Sequence, residues 1–196
     1  MFANCRNLSD ISSFDMKNGK LQNAESMFEN TGVKQIPAKF FNDLTTLTNL
    51  RRCFAGCTSL TSFGRTGNYV GQPGTSARPV NVDIGNQFNN TNFENISGNL
   101  NCTEMFANCT NLSLGTEQTY AVSYTSLYDR SVAGVGKVNM DRMFYGCSKL
   151  GTVPVIQILS GSSNYVKITE SGNNNVTSHS QTFTGTNCEG VPSGWK

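Results

Sequence analysis

The chain has 196 residues, a formal net charge of +2 and 37% hydrophobic residues. That length fits one domain, residues 1–196, grown by repetition around a thin core rich in Asn, Ser, Thr and Gly. There is no basic run for a nucleic-acid backbone and no apolar stretch long enough to span a bilayer.

The chain opens on Met1-Phe2-Ala3-Asn4-Cys5, and this short unit returns with one Phe per copy, at Phe2, Phe28, Phe54, Phe88, Phe106, Phe144 and Phe183. With each Phe as position zero, position −5 holds Asn23, Asn49, Asp83, Asn101, Asn139 or Ser178, whose side-chain oxygens can cap a helix. Positions −4 and −1 are mostly apolar, as in Ala24/Met27, Leu50/Cys53 and Met140/Met143. The spacing −4, −1, 0 predicts one face of a helix of under two turns. Asn101 with Glu104, and Ser178 with Gln181, have the form of capping boxes. Position +2 is only Asn or Gly: Asn4, Asn30, Gly56, Asn90, Asn108, Gly146 and Gly185. These two residues most readily take the left-handed conformation that ends a helix. Position +3 is Cys5, Thr31, Cys57, Thr91, Cys109, Cys147 or Thr186, and a spaced apolar pair such as Leu60/Phe63 follows as a short extended segment. A fixed unit too small to bury its own apolar face predicts stacked copies with like positions in ladders.

Residues 1–63 hold three regular copies. The stretch Pro37-Ala-Lys-Phe-Phe-Asn-Asp-Leu44 predicts an extra short helix, with Pro in its first turn. Residues 64–81, rich in Gly, Pro and Arg, read as a loop insert. A second insert, 115–138, carries Tyr120, Tyr124 and Tyr128, then Arg130. The Tyr spacing suits a helix face, while Val122 and Thr125 leave a strand open. A third insert, 155–177, predicts a β-hairpin with strands 155–159 and 165–169. Trp195, after Pro192, is placed as the lid on the open end of the stack.

The seven Cys fall at the +3 column or replace apolar residues, which predicts free structural thiols rather than disulfides or a metal site. The one His, His179, stands at an apolar −4 position, so a structural role is expected. No residue pattern marks a catalytic group, and neither a cofactor nor a metal is called for. Tyr120, Tyr124, Tyr128 and Arg130 are the candidate binding patch, because tyrosines supply contact area and one guanidinium an anchor.

The segments Met-Phe-Ala-Asn-Cys-x-x-Leu from Met1 and Met105, Cys-Phe-Ala-Gly-Cys-Thr-Ser-Leu from Cys53 and Met-Phe-Tyr-Gly-Cys-Ser-Lys-Leu from Met143 resemble the BspA-like leucine-rich repeats of bacterial surface proteins. The resemblance implies an α/β fold, a right-handed solenoid of short helices and short strands with loop and hairpin inserts. It also implies a monomeric recognition or adhesion module at the cell surface, taking a protein or glycan. A start inside a repeat predicts a piece of a longer protein whose signal or anchor lies upstream. A structural spacer, or a hydrolase with an unrecognised site, are the alternatives.

Overall fold

The computed structural model describes residues 1–16, 19–37, 40–41, 44–63, 98–113, 126–129, 137–151, 153, 155–157, 165–169 and 176–196. The Phe column organises them. The rings of Phe2, Phe28, Phe54, Phe106, Phe144 and Phe183 lie one on the next, with centroids 5.2–6.0 Å apart and planes within 18° of parallel. All but Phe2 are buried. Ladders of Ala24, Leu50, Cys102 and Met140, and of Met27, Cys53, Met105 and Met143, run beside them in the same core.

Phe54 stacks directly on Phe106, and the Phe54 amide donates to the Met105 carbonyl at 2.9 Å. The copy read around Phe88 lies outside the described residues.

The segments read as short helices are consecutive turns, and the described residues contain no α-helix. Position −2 is left-handed in each of these layers: Ser26, Arg52, Glu104, Arg142 and Gln181 have φ between 52° and 55°. Position +2 is left-handed as well, from 55° at Asn30 to 77° at Gly185. Two left-handed residues four apart break any i→i−4 ladder. The amides divide their work instead. Met27, Glu29 and Thr31 donate within their own layer, to Ala24, Ser26 and Phe28. Ala24, Ser26, Phe28 and Asn30 donate to the next layer, to Asn49, Arg51, Cys53 and Ala55. A two-turn helix nucleates at a loss, whereas bonding to a neighbour satisfies every second amide without it. A left-handed non-glycine residue costs roughly 1–2 kcal/mol, and it persists at −2 because bonds on both sides fix it.

The Asn column at −5 makes the predicted kind of bond in a different setting. Asn23, Asn49, Asn101 and Asn139 each accept, through Oδ1, the amide two residues on, at 2.8–3.0 Å. These are Asx turns, not helix caps. Ser178 instead donates its hydroxyl to Asp141 of the layer before, and that carboxylate accepts the Ser180 amide. The capping boxes do not form: Glu104 binds arginines, and Gln181 is exposed.

Strands run alongside the turns. β1 (Gln35–Ile36) pairs in parallel with β2 (Ser62–Phe63). β3 (Leu100–Asn101), β5 (Val138–Asn139) and β8 (Val176–Ser178) form a parallel sheet, extended by parallel bridges from Asn23 to Asn49 and from Asn49 to Asn101. A second sheet joins β4 (Ser126–Asp129), β6 (Val155–Gln157) and β7 (Tyr165–Lys167). β6 and β7 are antiparallel, the expected hairpin, and β4 adds to β6 in parallel. At 37–44 the described bonds, Phe40 N to Pro37 O and Leu44 N to Phe41 O, span three residues. The rest of that helix expectation, at 38–39 and 42–43, lies outside the described residues. Phe40 and Phe41 are buried against Phe28 and Phe54.

In the +3 column Cys and Thr reach different carbonyls. The thiols of Cys57, Cys109 and Cys147 each donate to the Phe carbonyl of the layer before, Phe28, Phe54 and Phe106, at 3.0 Å. Thr31 and Thr186 donate to the Phe carbonyl of their own layer at 2.8 Å. All seven cysteines are free, and six are buried; Cys5, in the first layer, is exposed and so departs from the column. Burial pushes the Cys109 thiol well up and that of Cys147 up to about 12. A thiol reagent is therefore expected to label Cys5 alone in the native protein and all seven after denaturation without reductant. Fewer than seven after denaturation would mean that disulfides had been missed.

Candidate functional site

The candidate patch falls mainly outside the described residues: Tyr120, Tyr124 and Arg130 lie there, as do the insert 64–81 and most of 115–138. Tyr128 is in β4, an edge strand of the β4-β6-β7 sheet, with its backbone described and its side chain not. For residues 126–129 the strand, not the helix face, is the structure adopted. Two different inserts thus build one sheet, with Tyr128 on its rim.

A charged ladder crosses the layers at positions −2 and +1. Arg52 lies between Glu29 and Glu104, and Arg142 also reaches Glu104, at 3.1 Å. The Arg142 guanidinium covers the Tyr145 ring, 4.4 Å from its centroid. Beside this line, Arg51 bonds Glu25 at 2.7 Å, and Asn49 bonds the same carboxylate. The Arg52 bond holds the Glu29 carboxyl below its usual range, and the Arg51 bond does the same for Glu25. The charges alternate Glu29, Arg52, Glu104, Arg142 along the chain at columns facing one side. That alternation is visible in the sequence once the copies are aligned, but the helix expectation, built on the apolar face alone, did not use it.

The buried thiols and the histidine are committed to the stack. The thiols of Cys57, Cys109, Cys147 and Cys188 donate to main-chain carbonyls. Buried at −1, Cys53 has its thiol pushed far up by desolvation. His179 is half-buried, lies flat on Trp195 with centroids 4.1 Å apart, and has Nδ1 3.0 Å from the Gly194 carbonyl. Among the described residues no three of His, Cys, Asp and Glu are grouped to hold a metal ion. None of the described helices is long and apolar enough to cross a membrane.

No family model, no curated protein and no solved structure matches this chain.

Proposed function

We propose that this chain is a bacterial cell-surface recognition or adhesion module, a right-handed solenoid of the leucine-rich-repeat type that binds a protein or glycan and catalyses nothing. The observation that carries the proposal is the second sheet. Its strands Ser126–Asp129, Val155–Gln157 and Tyr165–Lys167 come from two inserts and form a sheet separate from the one that runs along the layers. Insertions in repeat proteins fall on one exposed side, often the binding side. In this proposal Tyr120, Tyr124, Tyr128 and Arg130 form the contact, with tyrosine rings supplying area and the guanidinium an anchor.

The test is a panel of extracellular-matrix proteins and glycans immobilised against the soluble chain. A saturable ligand is expected, and Tyr124→Ala with Tyr128→Ala should weaken its capture at least ~10-fold, the scale of a hot-spot pair. The melting temperature should stay nearly unchanged. A stability loss of several kcal/mol, the size of a core truncation, would instead put these tyrosines in the core.

The paired charges favour a second reading, a spacer domain. Glu25, Glu29, Arg51, Arg52, Glu104 and Arg142 satisfy one another across layers, so this face stiffens the stack while offering few free groups. A spacer would show no saturable ligand in the same panel.

A further inference from the structure

The layers of Phe54 and Phe106 touch in space but are far apart along the chain, which runs from Phe63 to Gly98 through residues 64–97. Their junction is dense. Leu50, Arg52, Phe54 and Gly56 donate their amides to the Asn101, Thr103, Met105 and Ala107 carbonyls at 2.8–3.0 Å. The Asn101 amide returns a bond to Thr48 at 2.9 Å, and Ser113 donates to Thr61 at 3.1 Å. The Cys109 thiol reaches the Phe54 carbonyl at 3.0 Å, and Nδ2 of Asn111 the Thr58 carbonyl at 2.7 Å. The two rings stack 6.0 Å apart, in a core shared with Leu50, Cys53, Cys102 and Met105. Beside them Arg52 meets Glu104 at 2.6 Å.

An apolar centre with a polar, charge-matched rim is also the anatomy of an interface between two molecules. In a repeat stack the stability is close to a sum of layer terms and nearest-neighbour junction terms. A junction then holds through its own contacts, whatever length of chain links its two sides. A break between 63 and 98 would divide none of the described layers. The rings of Phe2, Phe28 and Phe54 would stay stacked on one side, and those of Phe106, Phe144 and Phe183 on the other.

We propose that the Phe54–Phe106 junction is a self-sufficient binding surface whose partner is the chain's own segment 98–196, so that the protein survives cleavage between residues 64 and 97 as a stable two-piece complex. It needs no ligand, so it stands apart from the recognition function. Charge selects the partner: Arg52 on one piece faces Glu104 on the other. Donor and acceptor order select the register, with four amides of the first piece on four carbonyls of the second. While the link is intact, it presents the second piece to the first at an effective concentration of about a millimolar. After cleavage the junction holds alone.

The test places a recognition sequence for a site-specific protease between residues 64 and 97 of the full chain and cuts the folded protein. A denaturing gel should show two pieces. Light scattering after size-exclusion chromatography should give the mass of the uncut chain at about 1 μM, where a contact of micromolar affinity would be half apart. The melting temperature of the cut protein should become concentration-dependent. Arg52→Glu localises the hold. The left-handed −2 column already accepts a glutamate, Glu104 with φ of 55°, so the backbone tolerates the change. Attraction across the junction becomes repulsion, and the cut variant should come apart at a concentration at least ~10-fold higher than the cut parent. The uncut variant should stay folded by circular dichroism, because its link is intact. Asn111→Ala, which removes only the bond to Thr58, gives the same comparison by a milder change. Pieces of the cut parent that elute separately overturn the proposal. So does equal retention by the parent and both variants, since the hold would then lie outside this junction. A folded chain that the protease cannot cut overturns it as well, because the link would then be part of the packed structure.

Discussion

Replacing Phe106 with alanine is expected to destabilise the protein by about 3–5 kcal/mol, the range for a buried aromatic. Phe106 is fully buried between two rings, 6.0 Å from Phe54 and 5.6 Å from Phe144, each within 13° of parallel. Its loss removes transfer energy and two ring contacts, each worth ~0.5–1.5 kcal/mol. The cavity cannot readily close. The Phe54 and Phe106 amides and the Cys109 and Cys147 thiols tie the layers on both sides at 2.9–3.0 Å. A site whose walls are pinned relaxes little, which places the cost toward the upper end. For a domain whose total stability is typically ~5–15 kcal/mol, the shift is large. Phe2→Ala is the internal control. Phe2 is only half-buried and stacks on one neighbour of the column, Phe28, so its loss should cost much less. Urea titrations of the two variants check this, and equal shifts in midpoint would contradict the ring column as the spine of the core.

The side-chain columns were legible in the sequence and the backbone between them was not. Phe at zero, Cys or Thr at +3 and Asn or Gly at +2 recur at like positions in the inner layers, so there identity reports environment. The helix expectation failed because −4, −1 and 0 on one face is also what consecutive turns produce. The left-handed residue that separates the two is Ser26, Arg52, Glu104, Arg142 or Gln181, and no glycine marks the column. The direct contact of Phe54 with Phe106 joins residues far apart in sequence, on which the local pattern is silent. Cys5 matches Cys57 by position, but a thiol is buried here by donating to the layer before, and Cys5 stands in the first. Trp195 as a lid was legible because a lone Trp after Pro192 has no column to join. For the candidate patch, the sequence grouped the tyrosines, and the described piece of that stretch is a strand, Ser126–Asp129, whose partner strand Val155–Gln157 comes from a different insert.

Gly146→Val is expected to cost roughly 2–5 kcal/mol, and Gly146→Asn about 1 kcal/mol or less, from the steric penalties of the left-handed region and of overpacking. Gly146 has φ of 71°. A β-branched residue strongly disfavours that region, whereas Asn visits it readily. The backbone cannot move to relieve the strain, because the Gly146 amide donates to Thr184 at 2.8 Å and its carbonyl accepts from Ser148 at 2.9 Å. A second cost comes from the layer below, where any Cβ at this position runs into Oδ1 of Asn108. For valine the two costs add. For asparagine the first is small, and the Asn108 amide can turn to make room. The column already holds two successive asparagines, Asn4 and Asn30, joined by an Nδ2 to Oδ1 bond at 3.1 Å. Gly56 provides the sharper comparison. A Cβ there would meet Oδ1 of Asn30, whose Nδ2 is committed to Asn4. Turning Asn30 aside breaks that bond, so Gly56→Asn should cost more than Gly146→Asn although both glycines are left-handed. Thermal melts of the three variants decide the matter. Coincident melting of Gly146→Val and Gly146→Asn would remove backbone conformation as the reason for the column, and equal losses at Gly56→Asn and Gly146→Asn would remove the asparagine beneath.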